Sequence, residues 1–413
     1  PRDYLSTFLK IGTIVGLAIG VVIVSPELKM PALTQFIDGS GPVWSGDLFP
    51  FLFVTIACGA ISGFHSLIAS GTTPKMIQNE TDARFIGYGA MLMESFVAIM
   101  ALVAAAALEP GIYFAMNSPG AIIGTTAESA AQTISQWGFY VTPEMINQTA
   151  QNVGEHSIIS RTGGAPTLAV GMAQILSEVI GGTAMMAFWY HFAILFEALF
   201  ILTAVDAGTR AGRFMLQDLL GSFIPAMKRT DSLVASLIAT ALCVSGWGYF
   251  LYQGVVDPLG GINTLWPLFG ISNQMLAGIA LILCTSVLFK MKQDRYAWVT
   301  VIPLMWVSVC TLTAAWQKIF HDNPRIGFLA HAQQYQEAIA QGMVLAPAKS
   351  IEQMQQVVLN DYVNTSLAIL FMLVLISMLI FGVRTVLQAR VMNQPTVQEA
   401  PFELLPSHVM PQK

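Results

Sequence analysis

Apolar runs of about 20 residues recur along this chain, near 8–24, 48–71, 85–108, 184–205, 231–252, 266–288, 297–316 and 362–383. At about 1.5 Å per residue, each can cross roughly 30 Å of hydrocarbon. No water is present there to satisfy peptide groups, so a crossing segment must be a helix or part of a closed barrel. The runs are continuous and not alternating, which excludes the barrel. The expected fold class is an all-α polytopic membrane protein with eight transmembrane helices. Composition agrees, because only 10% of the 413 residues are charged, against roughly 25% in soluble domains.

The basic residues suggest an orientation. With the N-terminus in the cytoplasm, 14 of the 19 Lys and Arg fall inside, and Lys29, Arg161, Lys318, Arg325 and Lys349 fall outside. That asymmetry obeys the positive-inside rule, and both termini are expected to be cytoplasmic. It also makes residues 165–181, APTLAVGMAQILSEVIG, a re-entrant half-helix, since a ninth crossing would reverse the rule on one flank. The transmembrane domain is expected over 1–390, with outer segments at about 109–164 and 317–361. These segments are either folded caps or solvated connectors. Residues 206–231 alternate apolar and basic positions and predict a helix lying at the inner interface. Four prolines in 391–413 predict a flexible cytoplasmic tail. The chain opens on Pro1 with no signal-peptide pattern, so it reads as a fragment of a longer protein, with N-terminal helices expected outside it.

The run FPFLFVTIACGAISGFHSLIASGTTPK, 49–75, is long enough to cross but carries Gly59, Ser62, Gly63, His65, Ser66 and Gly71. Each glycine costs a helix interior about 1 kcal/mol relative to alanine, and an imidazole in hydrocarbon needs a partner or a wet cavity. Two readings remain open: close packing through the Gly59/Gly63 GxxxG pair, or an interrupted helix lining a substrate path. Ser70, Thr72 and Thr73 follow, with Thr73 placed to cap a helix beginning at Pro74. Two further interruptions are RTGGAP, with Gly163 and Gly164 before Pro166, and LWPLFGISNQML, with Ser272, Asn273 and Gln274. Helix N-termini present free N–H groups and partial positive charge, which suits a substrate carboxylate, and Arg161 would add attraction. Asn273 and Gln274 suit amide or carbonyl recognition, or equally hydrogen bonding between helices.

Four acids lie in or at the membrane: Glu94, Glu178, Glu197 and Asp206. Glu94 and Glu197 are deepest and are candidates for exchanging a coupling proton, with interhelical hydrogen bonding as the alternative. Asp206 stands four residues before Arg210 and predicts an ion pair. His65 is placed to polarise the pocket or relay a proton, and His191, in FWYHF, to anchor a helix at the interface. No His or Cys spacing predicts a metal site, and Cys58, Cys243, Cys284 and Cys310 read as packing residues. No phosphate loop, nucleophile elbow, redox motif or nucleic-acid stripe is visible, so no enzyme, cofactor or nucleic-acid partner is expected.

The broken run, together with ETDARFIGYGAMLMESFVAIMALVAA, GGAPTLAVGMA, WYHFAILFEALFILTAVDAGTRAGRFMLQDLLG and LWPLFGISNQMLA, resembles the carbon starvation protein A family from Pro1 to about Lys292. The resemblance implies a bacterial inner-membrane secondary transporter of the amino acid, polyamine and organocation group, with inverted repeats and broken helices (an APC/LeuT-like fold). It implies peptide uptake during carbon starvation, and pyruvate taken up with protons in relatives. The expected function is proton-coupled import of a peptide, or alternatively of pyruvate, with protons and the lipid bilayer as the other partners. A membrane nutrient sensor or scaffold subunit without transport, or a channel, are the readings from other classes.

Overall fold

A computed structural model describes residues 2–43, 45–56, 59, 61–229, 232–256, 261–392, 395 and 397. The expected tail at 391–413 lies almost wholly outside them, as does Cys58. Every regular element among the described residues is helical. The chain runs through α1 (Arg2–Val24), α2 (Leu48–Thr55), α3 (Gly63–Gly71), the single turn α4 (Thr73–Met76) and α5 (Asp82–Ala106). Short helices α6 (Pro110–Asn117), α7 (Gly120–Ile123), α8 (Ala127–Gln136) and α9 (Pro143–Asn152) lead to α10 (Gly164–Val179) and α11 (Met186–Gly221). Then come α12 (Leu233–Val256), α13 (Gly261–Lys290), α14 (Trp298–Phe320), α15 (Phe328–Ala340) and α16 (Ile351–Val391).

Among the described residues, seven helices are long and apolar enough to cross a membrane: α1, α5, α11, α12, α13, α14 and α16. They coincide with seven of the eight expected crossings. The eighth, 48–71, is divided between α2 and α3. α2 ends at Thr55, and α3 starts afresh at Gly63 with Ser62 as its N-cap, the Ser62 hydroxyl accepting the His65 N–H. A capped start satisfies a donor that a continuous helix would have bonded to the preceding turn.

α10 packs on α1, α5 and α11, and its closest approaches fall at their matching ends. A Cβ at Gly20, near the end of α1, would meet Ile175 and Leu176, and one at Gly171 would meet the Ala104 backbone at the end of α5. Trp189, in the first turn of α11, donates to the Ile180 carbonyl just past α10. α10, 16 residues long, is shorter than α1, α5 and α11, which have 23, 25 and 36 residues. One expectation fails: residues 206–231 form no separate interfacial helix. α11 continues without a break to Gly221, 36 residues in all, or about 54 Å. The residues between Asp206 and Gly221 have neither a glycine–proline stop nor a cap to end the helix sooner.

Both long segments fold. In the first, Ile112, Phe114, Met116, Ile134, Ile146 and Ile158 are buried in one cluster that continues into Leu17 of α1 and Met172 of α10. Burying side chains of this size is worth roughly 1.5–3 kcal/mol each, so this is a cap with its own core and not a solvated connector. In the second, α15 lies on α16 through Tyr335, Met354 and Val357, and His331 Nδ1 sits 2.7 Å from Asp361 Oδ2.

The other half of the molecule is organised by α13, which packs on α2, α3, α12, α14 and α16. Two glycines set how closely the broken span approaches it. A Cβ at Gly63 would collide with the Asn273 carbonyl oxygen, and one at Gly270 would lie 2.5 Å from the Val54 carbonyl oxygen. Gly59, the other half of the GxxxG pair, has nothing within 4 Å. Gly63→Val should therefore lower the melting temperature of the purified complete protein, by about 1–3 kcal/mol of overpacking strain. Gly59→Ala should leave it within the error of a thermal scan. Equal melting temperatures for Gly63→Val and wild type would show that the contact is not close.

Candidate functional site at the broken span

Ending a helix inside a membrane span frees carbonyls at one end and N–H groups at the other, each costing about 1–3 kcal/mol if buried unpaired. Two adjacent amides near the middle of α13 answer both needs. Gln274, 3% exposed, donates from Nε2 to the Phe53 carbonyl of α2 at 2.8 Å. Its Oε1 lies 3.1 Å from the Thr311 hydroxyl of α14, whose proton is shared with the Val307 carbonyl at 2.7 Å. Asn273, also 3% exposed, accepts the Phe64 N–H of α3 at Oδ1, 2.8 Å away. A backbone N–H only donates, so the amide oxygen must face it. Asn273 Nδ2 is left buried with no hydrogen-bond partner.

The second feature joins α3 to α5: His65 Nε2 lies 3.1 Å from Glu94 Oε2. His65 and Glu94, separated by 29 positions, thus meet as one titratable pair between the broken half-helix and α5. Glu197 stands apart. Phe64 packs against Gly208 of α11, and Glu197 is eleven residues earlier on that helix, about 16 Å along its axis. It is half-buried, with no hydrogen bond or ion pair among the described residues.

Several expected roles change with the hydrogen bonds in view. Thr73 does not cap a following helix. Its hydroxyl and that of Thr72 both donate to the Ile68 carbonyl, and Ser70 donates to Ser66, so all three close the last turn of α3. The start of α3 is also less free than expected, because Asn273 takes the Phe64 N–H and Ser62 takes the His65 N–H. Ser272 bonds back to the Phe269 carbonyl of its own helix.

Gly163 and Gly164 open α10, with Gly163 in the left-handed region at φ 118°. α10 packs on α1, α5, α6 and α11, whereas α3 packs on α4, α11 and α13, so the GGAP turn does not join the other two interruptions. Arg161 is bound to Glu155 at 2.7 Å. Burial acts to lower its pKa, but the Glu155 hydrogen bond and charge hold it above its ordinary value. Its charge is thus retained but already matched. Asp206 and Arg210 pair at 3.0 Å, as their spacing predicts. Among the described residues no three His, Cys, Asp or Glu side chains come together. Sequence reasoning missed Thr311, one hydroxyl among many on apolar helices, and the His65–Glu94 pairing.

These features define a polytopic, all-helical membrane protein with one span broken against a polar pair on a crossing helix. The chain belongs to the family described as carbon starvation protein CstA, whose model matches residues 1–314. It is 64% identical over 415 residues to the peptide transporter CstA of Escherichia coli (strain K12), covering 99% of this chain and 59% of that protein. It is 59% identical over 429 residues to the pyruvate/proton symporter BtsT of the same organism, covering 98% of this chain and 60% of that one. The peptide transporter CstA of Mycobacterium tuberculosis (strain ATCC 25618 / H37Rv) is 50% identical over 391 residues, covering 93% of this chain and 52% of that protein. The chain thus spans somewhat over half the length of these relatives. No solved structure matches it.

Replacing Gln274 with leucine leaves the Phe53 carbonyl without its donor, so Gln274→Leu should cost about 1–3 kcal/mol in thermal or denaturant unfolding of the complete protein. Ser272→Ala, which removes only a bond within one turn, should stay within about 0.5 kcal/mol. Equal losses for the two variants would refute the bridging role of Gln274.

Proposed function

We propose that this protein is a bacterial inner-membrane secondary transporter that imports a small carboxylate-bearing nutrient, a peptide first and pyruvate second, together with protons. The observation that carries this reading is the broken span itself, divided against α13, with His65 of its second half paired to Glu94 of α5. A span that exists only to anchor a protein gains nothing from two buried amides and a titratable pair. A span that must present groups to a solute needs them. The peptide reading is favoured by 64% identity to a protein named a peptide transporter, the pyruvate reading by 59% identity to one named a pyruvate/proton symporter.

In this reading the substrate lies beside the break. The first N–H groups of α3 are committed to Asn273 and Ser62, so the donor offered to a substrate carbonyl or carboxylate is Asn273 Nδ2, buried and unpartnered. Gln274 and Thr311 position the two half-helices. Glu94 accepts the coupling proton and His65, 3.1 Å away, exchanges it, so protonation changes the charge of the pair that joins α3 to α5. Glu197 is the second candidate for that proton. The arrangement fits an APC/LeuT-like transporter with both termini of this chain in the cytoplasm. Residues outside this chain complete the site.

Competition separates the substrates. Unlabelled dipeptides should displace a labelled substrate from vesicles carrying the complete protein more effectively than pyruvate does, and the reverse order would assign it to pyruvate. Counterflow separates the classes, since a carrier accelerates exchange while a channel or sensor does not. Glu94→Gln should abolish accumulation driven by a pH gradient, a loss of at least about tenfold, while preserving counterflow. Gradient-driven uptake that survives in Glu94→Gln but fails in Glu197→Gln would move the proton to Glu197.

A further inference from the structure

At the end of the bundle where α3 and α4 finish, a group of cations has no counterpart in the site described above. Lys75 Nζ of α4 lies 4.0 Å from the centroid of the Phe214 ring on α11, and the guanidinium carbon of Arg213 lies 4.6 Å from the same centroid. Two positive charges are therefore held by one ring. Neither has a carboxylate partner among the described residues. Asp206 is committed to Arg210 at 3.0 Å, and Asp218, exposed one turn beyond Phe214, makes no ion pair. Arg210 itself reaches Met76, next to Lys75, through Nη1 and the sulfur at 3.7 Å.

Two further groups are unsatisfied. Arg213 Nε is buried with no hydrogen-bond partner. Gln217, one turn further along the same face, is fully buried with neither amide atom bonded. Positions four apart on a helix are neighbours, so a donor-rich patch continues past the ring. On the membrane-crossing side of Arg213, Val205 and Leu202 of α11 are 44% and 58% exposed. A cationic, hydrogen-bonding cluster bordered by exposed apolar side chains at the end of membrane-length helices matches an amphiphile with an anionic head and an apolar tail.

The geometry points to a binding site for the phosphate group of an anionic phospholipid, held by Lys75 and Arg213 with the apolar tail along Val205 and Leu202 of α11. Guanidinium forks and ammonium groups are the side chains that best complement phosphate oxygens, and juxtamembrane cations attract anionic headgroups. Because Lys75 sits on α4 and Arg213 on α11, one bound lipid fastens the end of the broken span to its neighbour. The assignment stands on the charges and exposures alone, independent of whether the protein transports.

The test uses the complete protein, purified and delipidated, with phosphatidylglycerol, phosphatidylcholine of the same chain lengths, or inorganic phosphate alone. Binding is read as retained lipid by native mass spectrometry and as the shift in melting temperature. Phosphatidylglycerol should bind wild type at least about tenfold more tightly than the double variant Lys75→Gln/Arg213→Gln. The control Arg84→Gln/Lys290→Gln, which removes the same charge elsewhere, should bind like wild type. Arg213→Lys, which keeps charge but loses the fork, should fall between. If the double variant does not fold, Lys75→Gln, exposed and without a hydrogen bond, carries the comparison. Equal losses in test and control variants would overturn the site in favour of diffuse surface charge. Undiminished binding by the double variant, or a full shift from inorganic phosphate alone, would overturn it as well.

Discussion

The rest of this structure depends on one demand: inside a bilayer, every peptide group must find a partner in the protein. A continuous helix meets that demand by itself, and seven of the helices do. The span at 48–71 does not, and α13 supplies partners to the end of α2 and the start of α3. Gln274 donates to the free carbonyl end of α2, and Asn273 accepts from the free N–H end of α3. Their adjacency matters, since neighbouring residues on a helix point about 100° apart and so reach different partners. Gly63 and Gly270 then allow the backbones to come within reach, each facing a carbonyl oxygen that a methyl group would strike.

This arrangement also sorts functional groups from structural ones. Hydroxyls at Ser70, Thr72, Thr73 and Ser272 are consumed by carbonyls of their own helices. What remains uncommitted at the break is Asn273 Nδ2 and the His65–Glu94 pair. The free amide donor and the His65–Glu94 pair are both built on contacts of α3. The folded caps add a different element. The first is continuous with the core of α1 and α10, so α10 is gripped by that cap while the broken span is gripped by α13. The two regions are built on separate contacts, meeting along α11.

Legibility varied with the range of the interaction concerned. The seven unbroken spans, the division of the eighth and the Asp206–Arg210 pair were readable, because apolar run length, glycine and serine interruptions and four-residue spacing are local signals. Family resemblance was readable from the segment patterns and is matched over residues 1–314. The continuation of α11 past Val205 was misread, because alternating basic and apolar positions fit a surface helix as well as the end of a long one. Convergence of the GGAP turn with the other interruptions was not readable, since which helix a turn faces is set by contacts far away in sequence. Arg161 illustrates the same limit: its charge was evident and its neutralisation by Glu155 was not.

By itself, then, the sequence determined that this chain is a bundle of membrane-length helices with one defective span, since hydrocarbon leaves a backbone few alternatives. It also determined that Asn273 and Gln274 had to be hydrogen-bonded somewhere. Only the tertiary structure decided where. Across 221 positions it brought Gln274 to Phe53, across 209 it brought Asn273 to Phe64, and it joined His65 to Glu94 while leaving Glu197 aside. The physical reason is that polar groups in a membrane interior must be paired, but which partner each finds depends on how the helices cross.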